Sequence, residues 1–227
     1  MTTHLQREIE KLKKMILFMG AQVEESLRRS VESLINRNLE LANQVMGLDE
    51  EMDQFEVEIE EECLKILALH QPVAKDLRYV IAVLKINSDL ERIGDLAVNI
   101  AERAAYLSTH PPIGLPLDFH GMAEKTKLML KRSLDALVNL DANLARQVRL
   151  SDEEVDSINK QMHSIVIDYI KSNPQNVSVA IHLLSASRHL ERIADQATNI
   201  AEDVIYMVEG EIVRHKPEDF IEIEKNS

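Results

Sequence analysis

Apolar residues between positions 48 and 69 recur every three or four residues, which is the spacing of one face of an α-helix. The residues of this stripe are Leu48, Met52, Phe55, Ile59, Ile66 and Leu69. Leu, Ala, Glu, Ile and Val dominate the chain, and this composition favours helix over strand. The sequence therefore predicts helices only. Their predicted ranges are about 5–46, 49–69, 73–107, 119–150, 151–172 and 174–210.

Glycine and proline mark the predicted breaks between these helices. Gly47 ends the first long helix, which contains Gly20 as its weak point, and Gln71-Pro72 forms a turn. The segment Ser108–Asp118 holds three prolines and a glycine, so it is the clearest linker. Ser151–Glu154 has the sequence of a capping box and predicts a helix start.

The second half of the chain repeats the first. LERIGDLAVNIAE at Leu90–Glu102 and LERIADQATNIAE at Leu190–Glu202 are identical at ten of thirteen positions. ANQVMGLDEEMD at Ala42–Asp53 and ARQVRLSDEEVD at Ala145–Asp156 agree at seven of twelve. A repeat of about 100 residues indicates a duplicated domain. The predicted fold is all-α, a tandem of two antiparallel three-helix bundles with six long helices.

We call these bundles the first unit, residues 1–110, and the second unit, residues 119–210. Residues 111–118 form the predicted linker, and residues 211–227 form a predicted loose, acidic tail.

Composition excludes several classes of protein. The net charge of −13 argues against a nucleic-acid-binding protein, which needs a basic surface. No run of about 18 apolar residues occurs, and the N-terminus lacks the apolar region of a signal peptide, so no membrane insertion is expected. The single cysteine, Cys63, cannot form an internal disulfide, which fits a cytoplasmic protein.

Four carboxylates of the first unit are predicted to face one another. Glu91 and Asp95 are four residues apart, as are Asp49 and Asp53, so each pair lies on one helix face. Asp53 lies 19 residues before Pro72 and Glu91 lies 19 after it. A hairpin that turns at Pro72 therefore brings the two pairs level. These four residues form the first acid cluster.

The second unit repeats this register with its own second acid cluster, Asp152, Asp156, Glu191 and Asp195. Asp156 lies 18 residues before Pro174 and Glu191 lies 17 after it. Acids that open helices also favour the positive end of the helix dipole, and mid-helix acids can simply be solvated. The duplication in register favours a binding role instead, because closely spaced carboxylates repel unless a cation, a basic partner or a proton neutralises them.

All-carboxylate sites suit hard cations such as magnesium, calcium, manganese or ferric iron. No Glu-x-x-His spacing, HExxH motif or Cys/His zinc pattern occurs. Behind Asp156 the acidic face continues to Asn159 and His163, whereas behind Asp53 it continues to Glu56 and Glu60, which predicts sites of different affinity. His163 is either an extra ligand or a structural histidine. Asn99, Glu102, Asn199 and Glu202 extend the same face.

Two further features of the third and sixth helices left alternatives open. Gly94 and Ala194 allow close approach of a neighbouring helix or reflect ordinary packing. The acidic face becomes apolar toward each proline turn, and this strip is either packed against other helices or forms a dimer or partner surface. The residues of the strip are Leu77, Val80, Leu84, Val177, Ala180 and Leu184.

The two bundles with paired E(D)xxxD motifs, and above all LERIGDLAVNIAE and its duplicate, resemble the PhoU family of phosphate uptake regulators. The resemblance covers essentially the whole chain to Gly210. It implies multinuclear sites for divalent or trivalent metal ions (iron, manganese, magnesium, calcium or zinc) on the bundle surface. The residues that match the family motif are Asp49, Asp53, Glu91, Asp95, Asp152, Asp156, Glu191 and Asp195.

The resemblance also implies a function without catalysis. Such a protein is a cytoplasmic homodimer that acts as an adaptor between the ATPase of a phosphate ABC transporter and a sensor histidine kinase. It contributes to phosphate homeostasis through negative regulation of the phosphate-starvation response.

The residues leave three alternative functions to compare with this one. A metal-dependent phosphohydrolase is disfavoured because we find no nucleophile, no phosphate-binding glycine loop and no Arg/Lys cluster beside the acids. A histidine phosphotransfer bundle needs an exposed histidine with basic neighbours, and His182 and His189 are the candidates. A purely structural helical scaffold would bind no stoichiometric metal.

Overall fold

The computed structural model describes residues 3–213, with the side chains of Thr3 and Asp49 excluded. Over this range the chain forms α-helices, one 3-10 turn and no strand, which confirms the all-α prediction. The predicted acidic tail lies outside the described residues from position 214 onward. The helices are α1 (Thr3–Asn36), α2 (Leu39–Met46), α3 (Asp49–His70), α4 (Ala74–Ser108), α5 (Phe119–Asn139), α6 (Ala142–Ser172) and α7 (Val177–Glu209).

The prediction of one unbroken helix over residues 5–46 is wrong, because the chain breaks between α1 and α2. Arg37 adopts a left-handed backbone conformation with φ 53°, and the side chain of Asn38 accepts a hydrogen bond from the backbone N–H of Leu41. The Arg37 guanidinium donates to the backbone carbonyls of Leu107 and His110. These contacts anchor the break to the end of α4.

The predicted boundary between the fourth and fifth helices is also wrong. Helix α5 ends at Asn139 instead of residue 150. The next residue, Leu140, adopts a left-handed backbone conformation with φ 52° and ends the helix. The side chain of Asp141 accepts from the N–H groups of Asn143 and Leu144 and opens α6. Ser151 lies inside this helix and its hydroxyl donates to the Gln147 carbonyl, so its capping-box sequence starts no helix.

Each unit contains the predicted hairpin. The turn between α3 and α4 passes through Gln71, which has φ 45°. The turn between α6 and α7 contains a short 3-10 helix at Pro174–Asn176, and Gly210 ends α7 with φ 79°. The hairpins α3–α4 and α6–α7 therefore carry the two acid clusters.

Helices α4 and α7 pack against each other in opposite directions and join the two units. Near one end, the Tyr106 hydroxyl lies 2.7 Å from the Ser178 hydroxyl. Near the other, Lys85 Nζ lies 3.2 Å from a carboxylate oxygen of the buried Asp203. Buried side chains of both units form one continuous apolar core, which includes Ile93 and Ile193.

Two glycines mark close helix contacts. A Cβ atom at Gly94 would lie 2.8 Å from the Met52 methyl carbon, and one at Gly20 would lie 3.0 Å from Leu134 Cδ2. Gly94 therefore supports the interpretation of close approach between α3 and α4. Gly20 allows α1 to approach α5 without a break in the helix.

The apolar strip near the hairpin turns is covered only in part. Val80 and Ala180 are buried, whereas Leu77 is 39% exposed and Val177 is 38% exposed. Ile181 beside it is 54% exposed. Packing accounts for the inner part of the strip, and its outer end lies on the surface.

Candidate metal centre

The first acid cluster converges between α3 and α4. Asp53, Glu91 and Asp95 each offer a carboxylate oxygen, and these oxygens lie within 4.8 Å of one another. The four-residue spacing puts Glu91 and Asp95 on one face of α4, and the hairpin turn brings Asp53 level with them, as predicted. The backbone of Asp49 opens α3, and its side chain lies outside the described residues.

The charges of the first cluster repel one another. Burial, followed by the charges of Asp95, Glu56 and Asp53, raises the pKa of Glu91 to about 7. Burial and the charge of Asp53 raise the pKa of Asp95. Arg92 acts on the Glu91 pKa in the opposite direction but does not cancel the repulsion.

The second acid cluster lies between α6 and α7, but among the described residues only Asp53, Glu91 and Asp95 form a group of acids with oxygens within 4.8 Å of one another. Burial, followed by the charges of Asp195, Asp156 and Glu191, raises the pKa of Asp152 to about 6. The pKa values of Glu191 and Asp195 are raised too, by burial first and then by the neighbouring acids. All four predicted acids of this unit are thus within electrostatic reach of one another.

The surroundings of the second cluster differ from the prediction in two respects. Arg188 and Arg192 both lower the pKa of Glu191, so the expectation of no basic cluster beside the acids is wrong for this unit. The predicted flanking acid Glu202 lies 3.3 Å from the Arg149 guanidinium and 12% of its side chain is exposed. It belongs to an ion pair instead of the acid face.

Glu56 was predicted to extend the acidic face behind Asp53, whereas Thr198 had no predicted role. Glu56 lies one turn after Asp53, and its own pKa is raised by burial, by Glu60 and by Asp53. Thr198 is one turn after Asp195, and its hydroxyl lowers the pKa of Asp152. Their helical spacing from the assigned acids was the available signal.

The two histidines considered for phosphotransfer are engaged elsewhere. The rings of His182 and Tyr106 stack with centroids 3.6 Å apart. Burial and the nearby charges of Arg103, Arg192 and Arg188 lower the pKa of His189 to about 4. Neither is a freely exposed side chain.

A metal ion fits the donor set of both clusters. Carboxylate oxygens are the ligands that hard cations prefer, and burial together with mutual repulsion raises the pKa of Glu91 in the first cluster and of Asp152 in the second. The first cluster would hold an ion with Asp53, Glu91 and Asp95, and the second with Asp152, Asp156, Glu191 and Asp195. The ion would supply the neutralising charge and hold each hairpin together.

Comparison with known proteins agrees with this architecture. The family described as the PhoU domain matches the chain twice, at residues 16–104 and 119–204. The chain belongs to the PhoU family. A phosphate-specific transport system accessory protein PhoU homolog from Aquifex aeolicus (strain VF5) is 41% identical over 210 residues, which cover 92% of this chain and 95% of that protein.

Solved PhoU structures share the fold. The crystal structure of PhoU from Pseudomonas aeruginosa matches with a TM-score of 0.88 and 37% identity, over 91% of this chain and 99% of that one. The phosphate transport system regulatory protein PhoU from Streptococcus pneumoniae matches with a TM-score of 0.85 and 29% identity, over 92% and 99% of the two chains. The PhoU fold therefore extends over both units.

Proposed function

We propose that this PhoU protein is a metal-binding regulator of phosphate transport without catalytic activity. The observation that supports the proposal best is the convergence of Asp53, Glu91 and Asp95, whose oxygens lie within 4.8 Å of one another. The second unit carries four acids at the corresponding sequence positions, Asp152, Asp156, Glu191 and Asp195. The PhoU relatives carry the names of accessory and regulatory proteins of phosphate transport.

The proposed mechanism is a metal-dependent clamp. In the metal-free protein the facing acids of α3 and α4 repel one another, and likewise those of α6 and α7. A bound divalent or trivalent cation removes this repulsion and fixes the relative position of the two helices in each hairpin. Partner proteins would then read the shape of the hairpin surfaces.

The proposed partners are the ATPase of a phosphate ABC transporter and a sensor histidine kinase, with the protein acting as a cytoplasmic homodimeric adaptor between them. The proposal follows from membership of the PhoU family and from relatives named as accessory to phosphate transport. In the described part of the chain, no helix combines the length and apolar character needed to cross a membrane. The resulting activity is negative regulation of the phosphate-starvation response when phosphate is plentiful.

Metal content tests the first part of the proposal. We expect purified wild-type protein, never exposed to chelator, to contain stoichiometric metal by mass spectrometry. The variant with alanine at Glu91, Asp95, Glu191 and Asp195 should lose it while keeping its helical circular dichroism. A control variant removes the same number and type of acids from exposed helix positions, namely Glu10, Glu40, Asp135 and Asp168.

Equal metal content in the wild type and the cluster variant would contradict the proposal. Regulation is tested with the same proteins in a bacterium that lacks its own PhoU, by a reporter of a phosphate-starvation promoter. We expect repression in high phosphate with the wild type and the control, and loss of repression with the cluster variant. If the cluster variant represses the promoter as strongly as the wild type, regulation does not require the metal bound at these acids.

A further inference from the structure

A polar hollow lies between α6 and α7, beside the second acid cluster. Its volume is about 370 Å³. It is lined by two basic side chains, a histidine, an amide and a hydroxyl. These residues are Lys160, Arg188, His163, Asn159 and Ser164. No acidic residue lines the hollow, although the protein carries a net charge of −13.

The first unit provides a comparison for this hollow within the same chain. The repeated motifs are 103 residues apart between α3 and α6, and 100 residues apart between α4 and α7. These distances assign each lining residue a counterpart in the first unit. The counterparts of Asn159, Lys160, His163, Ser164 and Arg188 are Glu56, Val57, Glu60, Glu61 and Ser88. Three acids of the first unit thus correspond to an amide, a histidine and a hydroxyl in the second, and two uncharged residues of the first unit correspond to its lysine and arginine, while the acid clusters themselves are retained. The surface beside the cluster has reversed its charge in one unit only.

The basic groups of the hollow are available to a ligand. No carboxylate of the described residues lies within ion-pair distance of the Arg188 guanidinium, and the Arg188 side chain is exposed. Lys160 Nζ lies 3.5 Å from a carboxylate oxygen of Asp156, a long contact for a side chain that is 77% exposed. Such exposed pairs add little to stability, so Lys160 can turn toward another anion.

The amide at the edge of the hollow is held in place by the neighbouring helix. The Ser187 hydroxyl lies 3.0 Å from Asn159 Oδ1 and 2.9 Å from the Leu184 carbonyl oxygen. This contact ties α6 to α7 at the level of the hollow. The donors of the hollow therefore come from two helices that are joined by a direct side-chain hydrogen bond at this level.

We propose that this hollow binds inorganic phosphate. The guanidinium of Arg188 offers paired N–H donors that match two phosphate oxygens, and Lys160 adds a second positive charge. Asn159, His163 and Ser164 supply further hydrogen-bonding groups around the anion. The choice of phosphate over other oxyanions rests on the proposed function in phosphate transport, whereas the site itself rests on the geometry and on the charge reversal between the units.

Isothermal titration calorimetry with sodium phosphate, at constant ionic strength, measures phosphate binding and tests the proposal. Two variants restore the residues of the first unit, Arg188→Ser and Lys160→Val, and the matched control is Arg92→Ser, which removes an exposed arginine beside the first acid cluster. We expect each hollow variant to weaken phosphate binding by about tenfold or more. The phosphate dissociation constant of the control should stay within about twofold of the wild-type value. Arg92 lies beside the first acid cluster and does not line the hollow, so its removal changes only the general charge of the protein.

Titrations of metal-loaded and chelator-treated protein separate this proposal from the metal proposal. Loss of binding in Arg188→Ser with unchanged metal content supports the hollow as the site. Binding that disappears on chelation and is unaffected by either hollow variant would show that a metal ion holds the phosphate, and would overturn the proposal. Equal weakening by Arg92→Ser, or no saturable binding up to about 10 mM phosphate, would overturn it as well.

Discussion

Replacing Glu91 with glutamine should stabilise the metal-free protein at pH 8 and have little effect near pH 4.5. The pKa of Glu91 is raised from 4.5 to about 7 by burial and by neighbouring acids. Below pH 4.5 the carboxyl group is protonated in both the folded and the unfolded chain. Between pH 4.5 and 7 only the unfolded chain releases the proton, so stability falls as the pH rises and levels off above pH 7.

The size of the effect follows from the pKa change. Each pKa unit corresponds to ~1.4 kcal/mol, so the change from 4.5 to about 7 gives an upper limit of roughly 3 kcal/mol. Glu91 is partly exposed, and solvent screens the repulsion from its neighbours. We therefore expect Glu91→Gln to gain about 1–2 kcal/mol in the free energy of unfolding at pH 8.

Urea denaturation of chelator-treated protein at pH 5, 6, 7 and 8 measures this gain. The control is Glu124→Gln, because the ion pair with Lys127 lowers the pKa of Glu124 and removal of that charge should give no gain. A Glu91→Gln variant that is no more stable than the wild type at pH 8, or a gain that does not change with pH, would refute the electrostatic reasoning.

Three further predictions concern the core and the helix ends. Cys63 is fully buried, and burial followed by the charges of Glu62 and Glu60 raises the pKa of its thiol to about 12. Iodoacetamide should therefore modify Cys63 only after unfolding, which mass spectrometry can follow. Rapid modification of the native protein would contradict this burial. Gly94→Ala should change the free energy of unfolding by less than about 1 kcal/mol, because the flexible end of Met52 can move away and alanine favours the helix. Urea denaturation measures this change. A loss of stability above about 2 kcal/mol would show that the contact with Met52 is rigid. Asn38→Ala should cost about 1 kcal/mol in the same assay, whereas Asn38→Asp retains a side-chain acceptor and should not.

The hairpins and their acid pairs could be predicted from sequence because local signals fix them. Pro72 and Pro174 mark the turns, and the four-residue spacing of Glu91 and Asp95 fixes their common face. Equal distances from the turn then determine which acid of α3 faces which acid of α4. The convergence of Asp53, Glu91 and Asp95 follows from these short-range rules alone.

The break at Arg37 could not be predicted in the same way. Arginine is a good helix former, and its left-handed conformation accompanies contacts with Leu107 and His110, which are 70 and 73 residues away in sequence. Ser151 shows the opposite error, because its capping-box sequence lies inside a helix that Asp141 had already opened. Tertiary contacts and a competing cap decided both cases.

The charge around the clusters was the least predictable part of the site. Arg188 precedes Glu191 by three residues, so the two are neighbours on α7, yet the sequence was interpreted as having no Arg/Lys cluster beside the acids. The hollow beside Arg188 combines residues of two helices, and only the folded hairpin shows that they line one space. The acids that the two units share could therefore be predicted from the sequence. The differences in charge around those acids could be recognised only in the structure.

Anomalous X-ray diffraction from crystals of metal-loaded protein would locate each bound metal ion relative to the two acid clusters. We expect anomalous peaks within coordination distance of the carboxylate oxygens of Asp53, Glu91 and Asp95 in the first cluster, and of Asp152, Asp156, Glu191 and Asp195 in the second. Peaks of a bound transition metal at other positions, with neither cluster occupied, would contradict the assignment of these carboxylates as the metal centres.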